Sequence, residues 1–199
     1  VDNGPPITIP AGQVIQTHIS TQSGGNFAYK ISANQPIGVT QFMNGYSCSG
    51  QSGDPSMLVL NPDNQQIDSV TFSTVSSTVI ESHHLNLIVA TNDVGAIFLD
   101  NVAIPQSLFT MFPGAPSKSY ARLNLIEGTH SLLAPNGFTA YAYGVGLAES
   151  YSFSLGAFEP PIPLVIDTVI CSSDTILLIP NEPLLFPEWT ILSDSNTVV

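Results

Sequence analysis

Charged residues are scarce in this chain, and positive charge is nearly absent. Lys30, Lys118 and Arg122 are the only fixed cations among 199 residues, and fifteen carboxylates give a net charge of −12. Binding to nucleic acid or to anionic lipid is therefore disfavoured, because both need a basic surface. Charged residues make up 9% of the chain, against a typical share of about 25%. We expect a surface of hydroxyl and amide side chains, which is common in extracellular β proteins.

Long apolar runs and multiple cysteines are also missing. No run approaches the roughly 18 residues of a transmembrane helix, so no membrane insertion is expected. Val1 does not begin a signal-peptide pattern, and we expect the chain to be a piece of a longer protein. Two cysteines, Cys48 and Cys171, are too few for a disulfide scaffold. They could pair with each other, remain free thiols or bond outside this chain.

Helical periodicity is nearly absent, whereas short segments of alternating apolar and polar residues recur between turns. Sixteen prolines and fifteen glycines punctuate the chain, which is typical of an all-β sandwich or barrel. We predict an antiparallel, jelly-roll-like β-sandwich. The expected strands are Ile7–Ile9, Gln13–Ser20, Asn26–Ser32, Ile37–Asn44, Met57–Leu60, Asp68–Val75, Leu85–Thr91, Ala96–Leu99, Val102–Ile104, Lys118–Ile126, His130–Leu133, Gly137–Gly144 and Ser150–Leu155.

The order of turn signals suggests two related β units within residues 1–157, with halves of about 1–75 and 96–157. Ile9-Pro10-Ala11-Gly12-Gln13 is similar to Leu125-Ile126-Glu127-Gly128-Thr129, and each half then has a glycine and an acidic residue before a strand. The alternative is that all-β chains reuse the same turn chemistry by chance. Residues 158–163 are proline-rich and predict an extended linker. Residues 164–199 predict the start of a second, immunoglobulin-like β module, because Cys171 precedes Trp189 there, or alternatively a C-terminal β extension that packs on the main domain.

The acidic positions of the two halves, Asp54 and Glu149, are candidates for either turn formation or function. A carboxylate before a strand can accept backbone N–H bonds and fix a turn. Asp54 and Asp63 are also calcium candidates, because calcium binds six to eight oxygens. As a glycosidase pair, Asp54 and Glu149 would have to flank a cleft. The adjacent His83 and His84 are expected to point to opposite faces of a strand and so not to chelate one metal together.

Three tyrosines are candidate ligand-binding residues. Tyr141 and Tyr143 share one face of a predicted strand, where they would form a protein or carbohydrate platform, although core packing is the alternative. Tyr46 lies in the loop Tyr46–Gln51 with Cys48. This loop departs from the G-x-S-x-G nucleophile elbow, because position 49 is serine and no helix is expected after it. We interpret it as a surface loop that is inserted in the first half only. A cross-link, or a function that the second half lacks, would be expected there.

Several motifs together resemble the IgG Fc-binding protein N-terminal domain family, over roughly Ile7–Gly156. The motifs are Pro36-Ile37-Gly38-Val39, Gly53-Asp54-Pro55-Ser56-Met57, His84-Leu85-Asn86-Leu87-Ile88-Val89, Gly128-Thr129-His130, Gly137-Phe138-Thr139-Ala140-Tyr141-Ala142-Tyr143-Gly144 and Ala148-Glu149-Ser150-Tyr151. The resemblance implies an extracellular, mainly β, binding or adhesion module without known catalysis. In bacteria this family occurs in large secreted proteins of Bacteroidota, often with gliding-motility-associated sorting domains.

We therefore expect a non-catalytic, cell-surface binding or adhesion module of a larger secreted protein. Its partners would be a protein or glycan on a surface, or other copies of the same protein. One alternative is a structural subunit or spacer of a surface filament that assembles by β-strand pairing. A lesser alternative is a carbohydrate-active hydrolase that uses Asp54 or Glu149. No cofactor is expected, apart from the calcium already considered.

Overall fold

The computed structural model describes residues 6–17, 28–45 and 53–158. The chain divides into two units, Val1–Phe158 and Glu159–Val199, and the described part belongs to the first. The predicted linker and the predicted second β module lie essentially outside the described residues, as do Tyr46, Cys48 and Cys171. The domain boundaries, the duplication and the disulfide accordingly remain predictions.

Ten antiparallel strands form the described part, so the predicted all-β antiparallel class is confirmed. A two-stranded sheet pairs β1 with β2, and a curled eight-stranded sheet holds β3 to β10. Two 3₁₀ turns, Thr91–Asp93 and Gln106–Leu108, connect strands of the larger sheet. The strands are β1 Thr40–Phe42, β2 Met57–Val59, β3 Ile67–Ser73, β4 Ile80–Ala90, β5 Phe98–Leu99, β6 Val102–Ala103, β7 Thr110–Phe112, β8 Ala115–Leu125, β9 Thr129–Gly146 and β10 Glu149–Ser154.

The long strand β9 organises the larger sheet, because its two halves pair with different neighbours. Its first half lies between β3 and β5, and its second half lies between β10 and β4. β8 and then β7 continue the sheet beyond β4. Between the two halves, Leu133 of β9 lies opposite Ser69 of β3, and Phe138 lies opposite Ile67, so β9 has more residues than β3 between these two pairs. These extra residues form a bulge, and bulges bend strands and increase their twist.

A single apolar core joins both halves of the curled sheet. Alternation on β4 turns Leu85, Leu87 and Val89 fully inward, as the sequence predicts, and each is 0% exposed. Phe72 on β3 and Leu132 on the first half of β9 belong to the same core. Each fully buried side chain of this size contributes about 1.5–3 kcal/mol through removal of apolar surface from water.

Two local predictions are wrong. The sequence predicts separate strands at His130–Leu133 and Gly137–Gly144, yet β9 runs through both and through Pro135-Asn136-Gly137, because the bulge absorbs the irregular backbone and Gly137 supplies a φ of +93°. The early segments 7–9, 13–17 and 28–32 form no strand where the structure describes them. Their side chains are mostly exposed, and a strand is stable only when a neighbour satisfies its backbone and one face is buried.

Candidate functional site

The face of the sheet opposite the core carries rows of polar and aromatic side chains. Strand register aligns Asn124 of β8, His84 of β4, Tyr143 of β9 and Ser152 of β10 in one row across four strands. The next row aligns the residues Arg122, Asn86, Tyr141 and Ser154. We call this surface the outer face.

A segment that we call the crossing segment, residues 53–63, runs over part of this outer face. The Ser150 hydroxyl donates to the Asp54 carbonyl, and Ser152 Oγ lies 3.1 Å from Ser56 Oγ. Further along, Asp63 Oδ1 lies 2.8 Å from Lys118 Nζ. The crossing segment therefore covers β10 and the neighbouring part of β9, and it reaches as far as β8.

The two predicted platform tyrosines share a face but differ in environment. Tyr141 is 6% exposed, and its hydroxyl accepts the backbone N–H of Asn61 at 2.9 Å. Tyr143 is partly exposed, and its ring stacks on the His84 ring with centroids 5.0 Å apart. Burial raises the pKa of both phenols; the Asn61 bond opposes this at Tyr141, and the nearby charge of Arg122 opposes it at Tyr143. The ligand-binding role of these tyrosines remains a prediction, and Tyr143 is the accessible one of the two.

A cleft opens beside the beginning of β4, and the strand pairing explains its origin. Pairing between β4 and β8 stops at His83 opposite Leu125, whereas pairing between β4 and β9 continues to Ile80, with a register shift between Ile80 and Ser82. The two strands diverge beyond that point and leave an open volume of about 470 Å³. The lining residues are Ile80, Glu81, Ser82, His83, His84, Asn124, Leu125, Ile126 and Glu127.

The two adjacent histidines of the cleft have different partners, because successive residues of a strand face opposite sides. His83 is 6% exposed, and its Nδ1 lies 2.8 Å from the Tyr151 hydroxyl. His84 lies on the outer face, where its ring nitrogens are 3.0 Å from Asn124 Oδ1 and 3.0 Å from Ser82 Oγ. Such a wall offers aromatic surface, imidazole nitrogens and a side-chain amide to a ligand.

The turn between β8 and β9 forms the opposite wall of the cleft and is fixed from two sides. Thr74 Oγ1 accepts the Gly128 N–H at 2.8 Å, and the Thr74 N–H donates to the Gly128 carbonyl at 3.0 Å. His130 Nε2 donates to the Ile126 carbonyl at 2.9 Å, and His130 Nδ1 donates to Asp100 Oδ2 at 2.7 Å. The wall is therefore tied to β3, to β9 and to the β5–β6 hairpin.

The His130–Asp100 pair shifts both pKa values toward the charged forms. Burial disfavours the imidazolium, but the hydrogen bonds to Asp100 and Ile126, together with the carboxylate charge, raise the pKa of His130 overall. Burial also acts against ionised Asp100, yet the bonds from His130 and the Ser131 N–H lower the pKa of that carboxyl. Both ring nitrogens face acceptors, which fits a protonated ring.

The remaining predicted site residues have structural contacts. Asp63 is paired with Lys118, and Asp54 contacts Ser150 through its backbone carbonyl. This contact brings the Asp54 segment beside the strand that Glu149 opens. Within the described ranges, no group of three or more His, Cys, Asp or Glu side chains is arranged to hold a metal ion. The calcium role of Asp54 and Asp63 remains a prediction.

Sequence reasoning missed the cleft and the His130–Asp100 pair. The cleft depends on where two strands stop pairing, which no residue pattern reports. The pair joins positions 30 residues apart, although Asp100-Asn101 between two β-rich segments was a signal for a type I′ hairpin turn. In the described part of the chain, no helix has the length and apolar character needed to cross a membrane.

Comparison with known proteins gives one positive result. A family model described as IgGFc binding protein matches residues 1–144, which include both walls of the cleft. No curated protein and no solved structure matches the chain.

Proposed function

Since the chain belongs to the IgGFc-binding protein family, we propose that it is a non-catalytic binding module of an extracellular, cell-surface protein. The observation that carries this proposal is the open cleft between the beginning of β4 and the β8–β9 turn. The cleft is an open groove of about 470 Å³, which suits a segment that lies along the surface better than a small ligand that needs an enclosing pocket. The partner that we propose is a protein, which contacts the cleft through an extended segment.

The strand register favours an extended segment over a compact ligand. Ile80 and Ser82 of β4 pair with β9 on one side, across a register shift, and among the described residues they have no strand partner on the β8 side. A guest strand can use such an open edge for main-chain hydrogen bonds, while side-chain contacts on either side supply specificity. His84, Asn124 and the Tyr143 ring at the mouth would contact alternate side chains of the guest.

Charge supports a partner that is neutral or basic at the point of contact. Glu81 and Glu127 stand on opposite walls of the cleft, and the chain as a whole carries −12. The family description names the Fc region of IgG, so an Fc fragment is the first protein probe. A glycan array is the second probe, because a surface glycan is the other partner that we expect.

The test compares two asparagine variants for Fc binding by biolayer interferometry. Asn124→Ala removes an exposed amide at the cleft, and Asn136→Ala removes an exposed amide that bonds Asp93 outside it. We expect Asn124→Ala to weaken binding at least tenfold and Asn136→Ala to leave it unchanged. Equal loss in both variants, or no binding of Fc or of any glycan by the wild type, would contradict the proposal.

A structural subunit is the second candidate, and a specific surface favours it. Phe42 of β1 and Met57 and Val59 of β2 lie on one face of the two-stranded sheet, and each is at least 59% exposed. Exposed apolar surface of this kind is typical of protein contacts. Light scattering of the chain at high concentration tests this candidate: ordered polymers would support it, and a monomer would exclude it.

The hydrolase alternative rests on Asp54 and Glu149 alone. Their segments meet through the Ser150–Asp54 contact, but neither residue lines the cleft. Glu149→Gln would abolish a glycosidase activity, whereas under our proposal it leaves Fc binding intact. An activity screen on polysaccharides with this variant as control separates the two functions.

A further inference from the structure

One wall of the cleft is bonded to His130, a buried side chain that can gain or lose a proton. His130 is 4% exposed, and its two ring nitrogens face Asp100 Oδ2 at 2.7 Å and the Ile126 carbonyl at 2.9 Å. Only the imidazolium has an N–H for each of these acceptors. Both contacts therefore exist together only while the ring is protonated.

The carboxylate side of this arrangement is held rigidly. Asp100 and Asn101 adopt φ values of +52° and +63° in the tight β5–β6 turn. The Asp100 N–H donates to the Ser131 carbonyl at 2.8 Å, and the Ser131 N–H donates to Asp100 Oδ1 at 2.8 Å. Asp100 is thus fixed against β9 whether or not His130 is charged.

Loss of one proton from His130 must break one of its two bonds. The remaining N–H stays on Nδ1, because a carboxylate is a stronger acceptor than an amide carbonyl. Nε2 then presents a lone pair to the Ile126 carbonyl oxygen, so two acceptors face each other at 2.9 Å. That carbonyl has to turn away, and the backbone of Ile126 and Glu127 moves with it.

We propose that the proton on His130 is a latch for the Ile126–Glu127 wall of the cleft: the wall is held when His130 is charged and released when it is neutral. The Thr74–Gly128 bonds limit the movement to the cleft side of the turn. As a regulator of binding, the latch rests on the function proposed for the cleft. It predicts tighter binding at mildly acidic pH than at alkaline pH.

Few charged groups lie near this histidine. Asp100 acts on it from the β5–β6 turn, and Glu127 is the carboxylate of the β8–β9 turn. β3 presents the Phe72 ring, 5.6 Å from the His130 ring between centroids, and its neighbours Thr71 and Ser73 do not titrate. On β9 the residues on either side are Thr129 and Ser131. Among these groups, the Asp100 carboxylate is the one that acts on the ring, and it favours the imidazolium.

The test is a nuclear magnetic resonance titration of the full chain, following the His130 ring and the backbone amides of Glu127 and Gly128. We expect the amides and the ring to titrate with one midpoint. Asp100→Asn, which tolerates the same backbone conformation, should lower that midpoint, and His130→Gln should abolish the amide titration. His84→Gln, which removes a histidine that lines the cleft, should leave the amide titration unchanged.

Amide shifts of Glu127 and Gly128 that do not change with pH would overturn the latch. It would also be overturned if the pH dependence of these shifts disappeared in His84→Gln but kept the wild-type midpoint in Asp100→Asn. The IgG Fc fragment serves as binding probe on the wild type, Asp100→Asn and His130→Gln. If the amides titrate but Fc binds at no pH, the latch stands and the proposed ligand fails. If Fc binds while the wall does not titrate, the latch fails alone.

Discussion

Stability should depend on pH through His130, with a sign fixed by the direction of its pKa shift. Because the folded-state pKa of His130 is raised, its contribution is fully present below the unfolded value near 6.5 and is lost as pH rises through the folded value. Asp100 has a lowered pKa, so its contribution is present above about 3.8 and is lost as pH falls through its folded value. The pair therefore stabilises the fold most in the mildly acidic range.

The structure sets the size of the effect. The bond from His130 to the Ile126 carbonyl is buried and is lost on deprotonation, and a hydrogen bond from a charged group contributes about 1.5–3 kcal/mol. The Asp100 side chain is 45% exposed, so solvent screens its attraction to the His130 imidazolium, which contributes only about 0–1 kcal/mol, as surface ion pairs do. The cost of burying the imidazolium offsets part of the sum. We expect a net decrease in the free energy of unfolding of about 1–2 kcal/mol on passing to alkaline pH.

Urea unfolding followed by circular dichroism measures this difference between about pH 5.5 and about pH 8.5. His130→Gln should flatten the dependence, and the control His84→Gln should retain it. High salt separates this effect from repulsion among the surface carboxylates, because salt screens exposed charges and leaves buried contacts largely intact. An undiminished pH dependence of stability in His130→Gln would show that His130 is not its source.

Three further substitutions test the fold that positions the cleft. Tyr141→Phe should cost about 1 kcal/mol of unfolding free energy, because it leaves the Asn61 N–H without its acceptor; urea midpoints measure it. Gly146→Ala should prevent stable folding, because a Cβ there would collide with the Val79 carbonyl; soluble yield and circular dichroism report it. Ala148→Gly should raise stability by about 1 kcal/mol, because position 148 has a φ of +54°; the thermal midpoint should rise by a few degrees.

Each of these predictions has an internal control. Tyr143→Phe should change stability less than Tyr141→Phe, because Tyr143 is the more exposed phenol. Gly38→Ala should be tolerated, since nothing lies within 4 Å of a Cβ built there. A well-folded Gly146→Ala protein would contradict the close approach of Gly146 to the Val79 carbonyl, and a destabilised Ala148→Gly protein would contradict the positive φ at position 148.

Period-two alternation made much of the sheet predictable. It identified the inward face of β4 at Leu85, Leu87 and Val89, because a strand that buries one face must repeat every second residue. It failed at Pro135-Asn136-Gly137, where local turn chemistry competes with sheet pairing on both sides of β9. The pairing prevailed, because the residues on either side of the bulge stay paired with neighbouring strands and the chain does not reverse.

The site was less predictable than the sheet, because its parts are assembled by register. His83 and His84 were correctly expected on opposite faces, which needs only the alternation of one strand. The relation of His130 to Asp100 depends on Leu99 lying opposite Leu132, a long-range pairing that no single-chain pattern specifies. The end of the β4–β8 pairing, which opens the cleft, depends on the same kind of information.

Hydrogen–deuterium exchange with and without IgG Fc shows whether this IgGFc-binding family module binds its partner in the cleft. We predict new protection confined to residues 80–84 and 124–127, stronger at mildly acidic pH. Protection centred instead on β1 and β2, or no change anywhere in the chain at saturating Fc, would contradict the claim.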